Sequence, residues 1–581
     1  MSNIWLQIKN FFRNFWLGIR TLRTLRRGQI PHILENFSKK EFYTFIATLF
    51  FLVISGGFLL VQAFAEKGPG PHYGGEIVEG LVGQPQFINP LLSLTSSVDT
   101  DVSRVVYAQL LKFDQEQNLT TDLAESIPTV SEDQKTYTLK LKPNLKWSDG
   151  KPLNADDVLF TIQRIQNIEY ESPLRPNWSR VKAEKIDDLS IQLTLREVSA
   201  SFMNNFTLGI IPKHIWEELS PRNFRLSDSN LKPIGSGPYT VREIRKTSDG
   251  DIKSITLRAN QNYHEGSPYI TTLTFRFYDD YDSLLAAYQG KEIQSIGFLP
   301  FDKKAFLSQS DRVNQYRVNL PQYQAVFFNL PKNSILAEKA VRQALWLATD
   351  RNQIITEVFN DNAAPAFGPI LPGSMGYNEK IEESVHYNLD EAVILLEKAG
   401  WVLPPNSTVR AKKDKLLEFN LALSGNLVLN VKTAQLLQSQ WEKIGVKINL
   451  IPVGPDELET DFIRPRAFDA LLFSENVGAD PDPFPFWHGT QRNDPGLNLS
   501  GFVNTEADKL LTDARQTIDE ATRVKNYLRF QEIINDELPA IFLARSLYIY
   551  NVPKKIQGIN LDNIVSPADR FLDIKNWYFS N

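Results

Sequence analysis

Twenty-four consecutive residues, Phe42 to Ala65 (FYTFIATLFFLVISGGFLLVQAFA), carry no charge. A run of that length is long enough to cross the hydrocarbon core of a bilayer. It is longer than the usual apolar stretch of a signal peptide and lies unusually far into the chain, although cleavage at Gln62-Ala63-Phe64-Ala65 stays open. Lys9, Arg13, Arg20, Arg23, Arg26, Arg27, Lys39 and Lys40 precede or flank it, opposed by Glu35 and Glu41. That excess of positive charge places residues 1–41 in the cytoplasm, makes residues 42–65 a single membrane span, and puts Glu66 onward outside. The alternative, a buried core helix, fits the flanking charges poorly. Within the head, Ile4, Trp5, Ile8, Phe11, Phe12, Phe15, Trp16, Ile19 and Leu22 recur at helical spacing, with Lys9, Arg13, Arg20 and Arg23 largely off that face. This is the pattern of a basic amphipathic helix resting on an anionic inner leaflet; a basic tail that only sets topology is the other reading. Residues 66–73 begin a linker rich in glycine and proline.

The rest of the chain alternates strand and helix patterns. In Leu139–Phe160 (LKLKPNLKWSDGKPLNADDVLF), Leu139 and Leu141 alternate with Thr138, Lys140 and Lys142, the period of a half-buried strand. Ser148-Asp149-Gly150 marks a turn, and Asn154 can cap a helix whose first turn carries Asp156 and Asp157. Strands are expected at Ile191–Leu195, Ile252–Leu257, Leu273–Phe277, Val446–Val453 and Ala540–Val552. Helices are expected at Val158–Ile168, Ala337–Phe359, Leu389–Lys398, Val431–Ile444, Thr505–Thr517 and Ala521–Glu537. Such alternation builds mixed α/β sheets, and 581 residues suffice for two or three core-forming units. A net charge of -5 argues against a nucleic-acid partner for the bulk of the chain. With no cysteine there is no disulfide, no thiolate metal site, no cysteine nucleophile and no lipid-bearing cysteine. The histidines His32, His72, His214, His264, His386 and His488 show no metal-ligand spacing, and no HExxH, GxSxG or Walker motif occurs. The inventory points away from an enzyme and implies no cofactor and no metal.

Several stretches resemble, in the same order, the large solute-binding proteins of ABC importers of the peptide, dipeptide and nickel class. They are Leu139–Phe160, Gly235-Ser236-Gly237-Pro238-Tyr239, Phe327–Asp350 (FFNLPKNSILAEKAVRQALWLATD), Tyr387–Gly400 (YNLDEAVILLEKAG) and Phe468–Pro483 (FDALLFSENVGADPDP). The resemblance implies an α/β, two-lobed periplasmic-binding-protein-like fold with an extra inserted domain, here preceded by one transmembrane helix. Residues 74–110, 209–319 and 547–581 would form lobe I, 111–208 the insert and 320–545 lobe II. Crossing strands are expected near Gln322–Leu330 and Ile541–Val552. It also implies capture of an oligopeptide or similar solute by hinged lobe closure, outside the membrane, for an ABC permease and its ATPase in other chains. A ligand sensor on the same domain, or a non-peptide solute such as a metal complex, are the alternatives.

By the same resemblance, Asp480 would meet a ligand's terminal ammonium, a pairing strengthened where closing lobes lower the dielectric. The competing reading is that Asp480 caps a turn before Pro481. Glu475 would duplicate the anionic role or reshape the pocket. Thr95, Ser97 and Val98 lie in a loop whose counterpart meets the ligand backbone; the alternative there is a helix cap at Asp99 or Thr100. Trp487, after the acidic turn, would line an apolar side-chain pocket. Arg464 and Arg466 would receive a ligand carboxylate through paired hydrogen bonds, with surface ion pairing as the competing reading.

Overall fold

The computed structural model describes residues 38–65, 70–300, 303, 313–384 and 386–580, with backbone alone at residue 53 and over 56–65. Two units separate, Met1–Gly70 with Asn581, and Pro71–Ser580. In the first, a helix Lys39–Ala65 covers the apolar run. Its start is capped reciprocally: the Ser38 N–H donates to Glu41 Oε2 at 3.0 Å, and the Glu41 N–H to Ser38 Oγ at 3.4 Å. Among the described residues no helix is long and apolar enough to cross a membrane, so the expected span has no support from this structure. The amphipathic segment expected over residues 1–41 lies, as far as residue 37, outside the described residues.

The second unit contains two sheet-centred bodies. The first has a five-stranded sheet in the order Ser295–Ile296, Glu76–Val82, Thr272–Tyr278, Ile252–Ala259 and Tyr239–Lys246. Glu76–Val82 runs parallel to both its neighbours and the remaining pairs are antiparallel. Beside it stands an antiparallel sheet of Thr129–Val130, Thr136–Lys140, Ser190–Leu195 and Val181–Lys185. Tyr137 opposes Leu193 and Leu139 opposes Ile191, putting four buried apolar side chains on one face. Helix Ala155–Gln166 starts as its sequence dictates: Asn154 Oδ1 accepts from the Asp156 N–H at 2.9 Å, and Asp157 Oδ2 accepts from the Asn154 N–H at 3.1 Å. The two sheets share one continuous core, from Ile77 and Leu273 through Leu139, Ile162 and Ile191. The Gly235–Tyr239 turn presses on the end of helix Ser97–Val106. The Gly237 N–H donates to the Val106 carbonyl at 2.8 Å, and any Cβ at Gly235 or Gly237 would collide with that backbone.

The second body is built on strands in the order Val313–Asn319, Ala540–Pro553, Gln322–Phe328, Ala470–Asn476, Glu418–Ser424 and Lys447–Val453, with Ala363–Pro365 alongside Ala540–Pro553. Successive strand residues point to opposite faces. Val326 and Phe328 therefore enter one core with Leu345, Leu421 and Trp441, while Tyr323, Ala325 and Phe327 enter another with Leu471, Trp487 and Phe530. The helix expected over Ala337–Phe359 is interrupted: it runs Lys339–Leu347, and a second begins at Arg351, where Asp350 Oδ1 accepts from the Gln353 N–H at 3.0 Å.

One strand belongs to both bodies. The 14 residues Ala540–Pro553 pair first with Gln322–Phe328 and then with Val313–Asn319. Ile541 and Leu543 pack in the second body's core, and Tyr548, Tyr550 and Val552 in the first's. The antiparallel segment that pairs with it crosses at Leu320-Pro321, between its two strands.

Candidate functional site

Between the bodies lies a cleft of about 670 Å³. One wall comes from the segment Leu195–Thr207 with Asn177 and Arg180; the other comes from Gly478–Asp480, Phe484, Thr512, Arg515 and Gln516. The loop after strand Ala470–Asn476 carries the acidic turn, and the helices Thr505–Arg515 and Glu520–Glu537 bring basic side chains to it.

Asp480 lines this cleft, and it is already engaged. Arg523 Nη2 donates to Asp480 Oδ1 at 2.5 Å and to the Tyr527 hydroxyl at 3.1 Å. Arg515 Nε pairs with Asp482 Oδ2 at 3.1 Å, and burial raises the Asp482 carboxyl above its ordinary value. Two carboxylates thus face two guanidiniums. Arg523 sits 43 residues downstream of Asp480, and no local sequence pattern links them. The Phe484 ring also faces the cleft, stacked on His488 at 4.1 Å with the Arg515 guanidinium 4.6 Å above it.

Other expected site residues sit elsewhere. Trp487 is 1% exposed and packs between Phe327 and Phe542 at 6.0 and 5.8 Å, a core residue where Phe484 holds the cleft position. Glu475 is buried beneath the same wall. Tyr323 donates its hydroxyl hydrogen to Glu475 Oε2, and Oε1 has no partner. Burial pushes this carboxyl up to about 8, so near neutral pH it is mostly protonated and does not supply a second negative charge. Arg464 is exposed and paired with Glu459 at 2.5 Å. Arg466 donates to the carbonyls of Arg492 and Gly496 at 3.2 and 2.6 Å. Neither arginine lines the cleft.

Helix Ser97–Val106 begins beside a second, smaller cavity. Its cap is Ser96, which accepts from the Asp99 N–H at 3.4 Å, rather than Asp99 or Thr100. Asp99 is buried and accepts instead from the Gln86 N–H at 2.7 Å. Thr95 and Ser97 are exposed and Val98 is buried in the first body's core. Among the described residues one group, Asp122, His264 and Glu265, has metal-ligand types within 4.8 Å of one another. Lys112 and Lys575 already occupy Glu265 at 2.9 and 2.8 Å, and two ammoniums there oppose a cation.

This architecture and the chain's similarity to known proteins agree. Residues 118–496 match the family model for the middle part of bacterial extracellular solute-binding proteins, family 5. The chain belongs to that family. The oligopeptide-binding protein AppA of Bacillus subtilis (strain 168) is 29% identical over 540 residues, covering 91% of this chain and 96% of AppA. The dipeptide-binding protein of Escherichia coli (strain K12) is 26% identical over 522 residues, covering 83% and 91%. Among solved structures, the ABC transporter substrate-binding protein CtaP of Listeria monocytogenes superposes with a TM-score of 0.75 at 28% identity, covering 88% of this chain and 100% of CtaP. AppA in complex with a nonapeptide gives 0.67 at 28% identity, with the same coverage. This family-5 chain is a solute-binding protein of the ABC-importer class, and its relatives bind substrates rather than transform them.

Proposed function

We propose that this chain captures peptides outside the membrane, closes two lobes over them and delivers them to an ABC permease, anchored by the span at residues 42–65. The observation that carries the reading is the cleft itself, walled by both bodies, with a paired carboxylate at its edge and one shared strand beneath. The names of AppA and the dipeptide-binding protein support peptide as the ligand class. The crossing at Leu320-Pro321 and the continuous strand Ala540–Pro553 suit a hinge, since closure needs few backbone changes there. Ligand contacts available only in the closed form would bias that equilibrium. A peptide ammonium arriving at Asp480 would share the carboxylate with Arg523. Tethering keeps the captured peptide near its permease at high effective concentration.

Calorimetry of the full-length chain with free and N-acetylated tri- to pentapeptides tests this reading. Asp480→Asn should weaken binding of free-amino peptides by about tenfold or more, leave acetylated peptides unchanged, and lower stability by less than about 2 kcal/mol because the pair borders water. No heat with any peptide would refute the peptide reading. Release of the chain from membranes by alkaline carbonate would refute the anchor.

A further inference from the structure

A cavity of about 270 Å³ adjoins the cleft, sharing with it the wall formed by Asn177, Asn204, Asn205 and Thr207. Helix Ser97–Val106 and the residue after it present Thr100, Ser103, Arg104 and Tyr107 to this space, the i, i+3, i+4, i+7 stripe of one face. Three donors on that stripe have no acceptor: Ser103 Oγ, Arg104 Nε and the Tyr107 hydroxyl. Ser103 and Tyr107 are 6% and 3% exposed. Each such buried donor costs about 1–3 kcal/mol while it stays unmatched. No aspartate or glutamate lines the cavity, and Arg104 is its one charged lining residue. Asp569 holds Arg104 from behind, at 2.8 Å from Nη2, and leaves Nε uncommitted.

A group that matches three donors, one of them on a guanidinium, must accept hydrogen bonds and carry negative charge. A carboxylate does both, with about four lone-pair sites. We propose that this cavity is a subsite for a carboxylate of the captured peptide, resting on the peptide reading above. Ser103, Tyr107 and Arg104 hold the two oxygens, and the subsite gives this chain a preference for acidic ligands. The carboxylate can belong to an aspartate or glutamate side chain or to the peptide's terminus. In both cases it fills the volume next to the loop of Thr95 and Ser97.

The test is calorimetry of the full-length chain with alanine tri- to pentapeptides carrying glutamate or glutamine at each position in turn, as free acids and as C-terminal amides. The parent chain should bind one glutamate peptide, or the free acid over its amide, at least about tenfold more tightly, the effect of one charge-assisted hydrogen bond. A glutamate-over-glutamine preference assigns the pocket to a side chain; an acid-over-amide preference assigns it to the terminus. Tyr107→Phe and Ser103→Ala should each erase most of that preference, while the affinity for peptides lacking the preferred carboxylate and the thermal stability stay unchanged or improve. A merely structural role would move stability and not the preference. Peptides that bind with no acid preference, or a preference that survives both substitutions, would overturn the subsite alone. Failure of every peptide to bind would overturn it together with the peptide reading.

Discussion

Arg570, deep inside the first body, and Arg523, at the cleft, each meet a carboxylate and a tyrosine. Arg570 has no solvent exposure. Its Nε donates to Glu79 at 3.0 Å, and Nη1 and Nη2 donate to Asp101 at 2.9 and 2.8 Å. Tyr550 and Ser295 complete Glu79 at 2.6 and 2.9 Å. Arg523 has one carboxylate, Asp480, plus the Tyr527 hydroxyl, and its Nε has no partner. The first cluster is closed and holds distant chain segments together. The second is incomplete, and its carboxylate lines the cleft. A third carboxylate sharpens the contrast: Glu475 has a tyrosine but no arginine, and burial raises it to about 8. The three differ in whether a fixed cation was built beside the acid, and that decides what each can do.

The largest effect should come from the closed cluster. Arg570→Met leaves Glu79 and Asp101 buried without their cation and should cost about 3–5 kcal/mol. Urea unfolding measures it, and a loss under about 1 kcal/mol would erase the distinction between core and cleft. Glu475 comes next. Below its ordinary value of 4.5 both folded and unfolded chains hold the proton. Above it the unfolded chain releases the proton while the folded chain keeps it to about 8. Rising pH therefore destabilises the native state, by about 1.4 kcal/mol per unit across that window. Glu475→Gln should remove this slope, so the variant gains on the parent between about pH 5 and about pH 8 in paired unfolding curves. An unchanged slope would mean that Glu475 is not the group that titrates. The smallest stability change belongs to the cleft pair: Arg523→Gln should cost about 1–2 kcal/mol, less than Arg570→Met, because water reaches Asp480. Its effect on peptide affinity should exceed its effect on unfolding, and the reverse order would make the two arginines equivalent.

Local signals in the sequence were legible wherever neighbours in the chain settle the structure. Leu139 and Leu141 alternate because they line a half-buried sheet, and Asn154 with Asp157 writes a helix start within four residues. Strands Ile252–Ala259, Thr272–Tyr278 and Ala540–Pro553 fall where alternation put them, a residue or two longer. Choices between adjacent similar residues were harder to read. Ser96 caps the helix where the alternative reading had Asp99 or Thr100, and Asp99 is drawn to the Gln86 N–H. Phe484 reaches the cleft where Trp487 was expected, since a helix of four residues turns one aromatic inward and leaves another at the surface. Glu475 could not be read as neutral from its neighbours, for its state follows from burial beside Tyr323. The Asp480–Arg523 pair arises from segments that only the folded chain brings together, and the three unmatched donors, neighbours on one helix, are buried only by the segments that fold over them.

The partnership of Glu79 with Arg570 joins residues 491 positions apart. During synthesis the strand that carries Glu79 leaves the ribosome early and must wait for nearly the whole polypeptide before its counter-ion exists. The first body therefore cannot close this cluster until residue 570 has emerged. A chain shortened by its final dozen residues lacks Arg570 and would leave that opening strand without its lock.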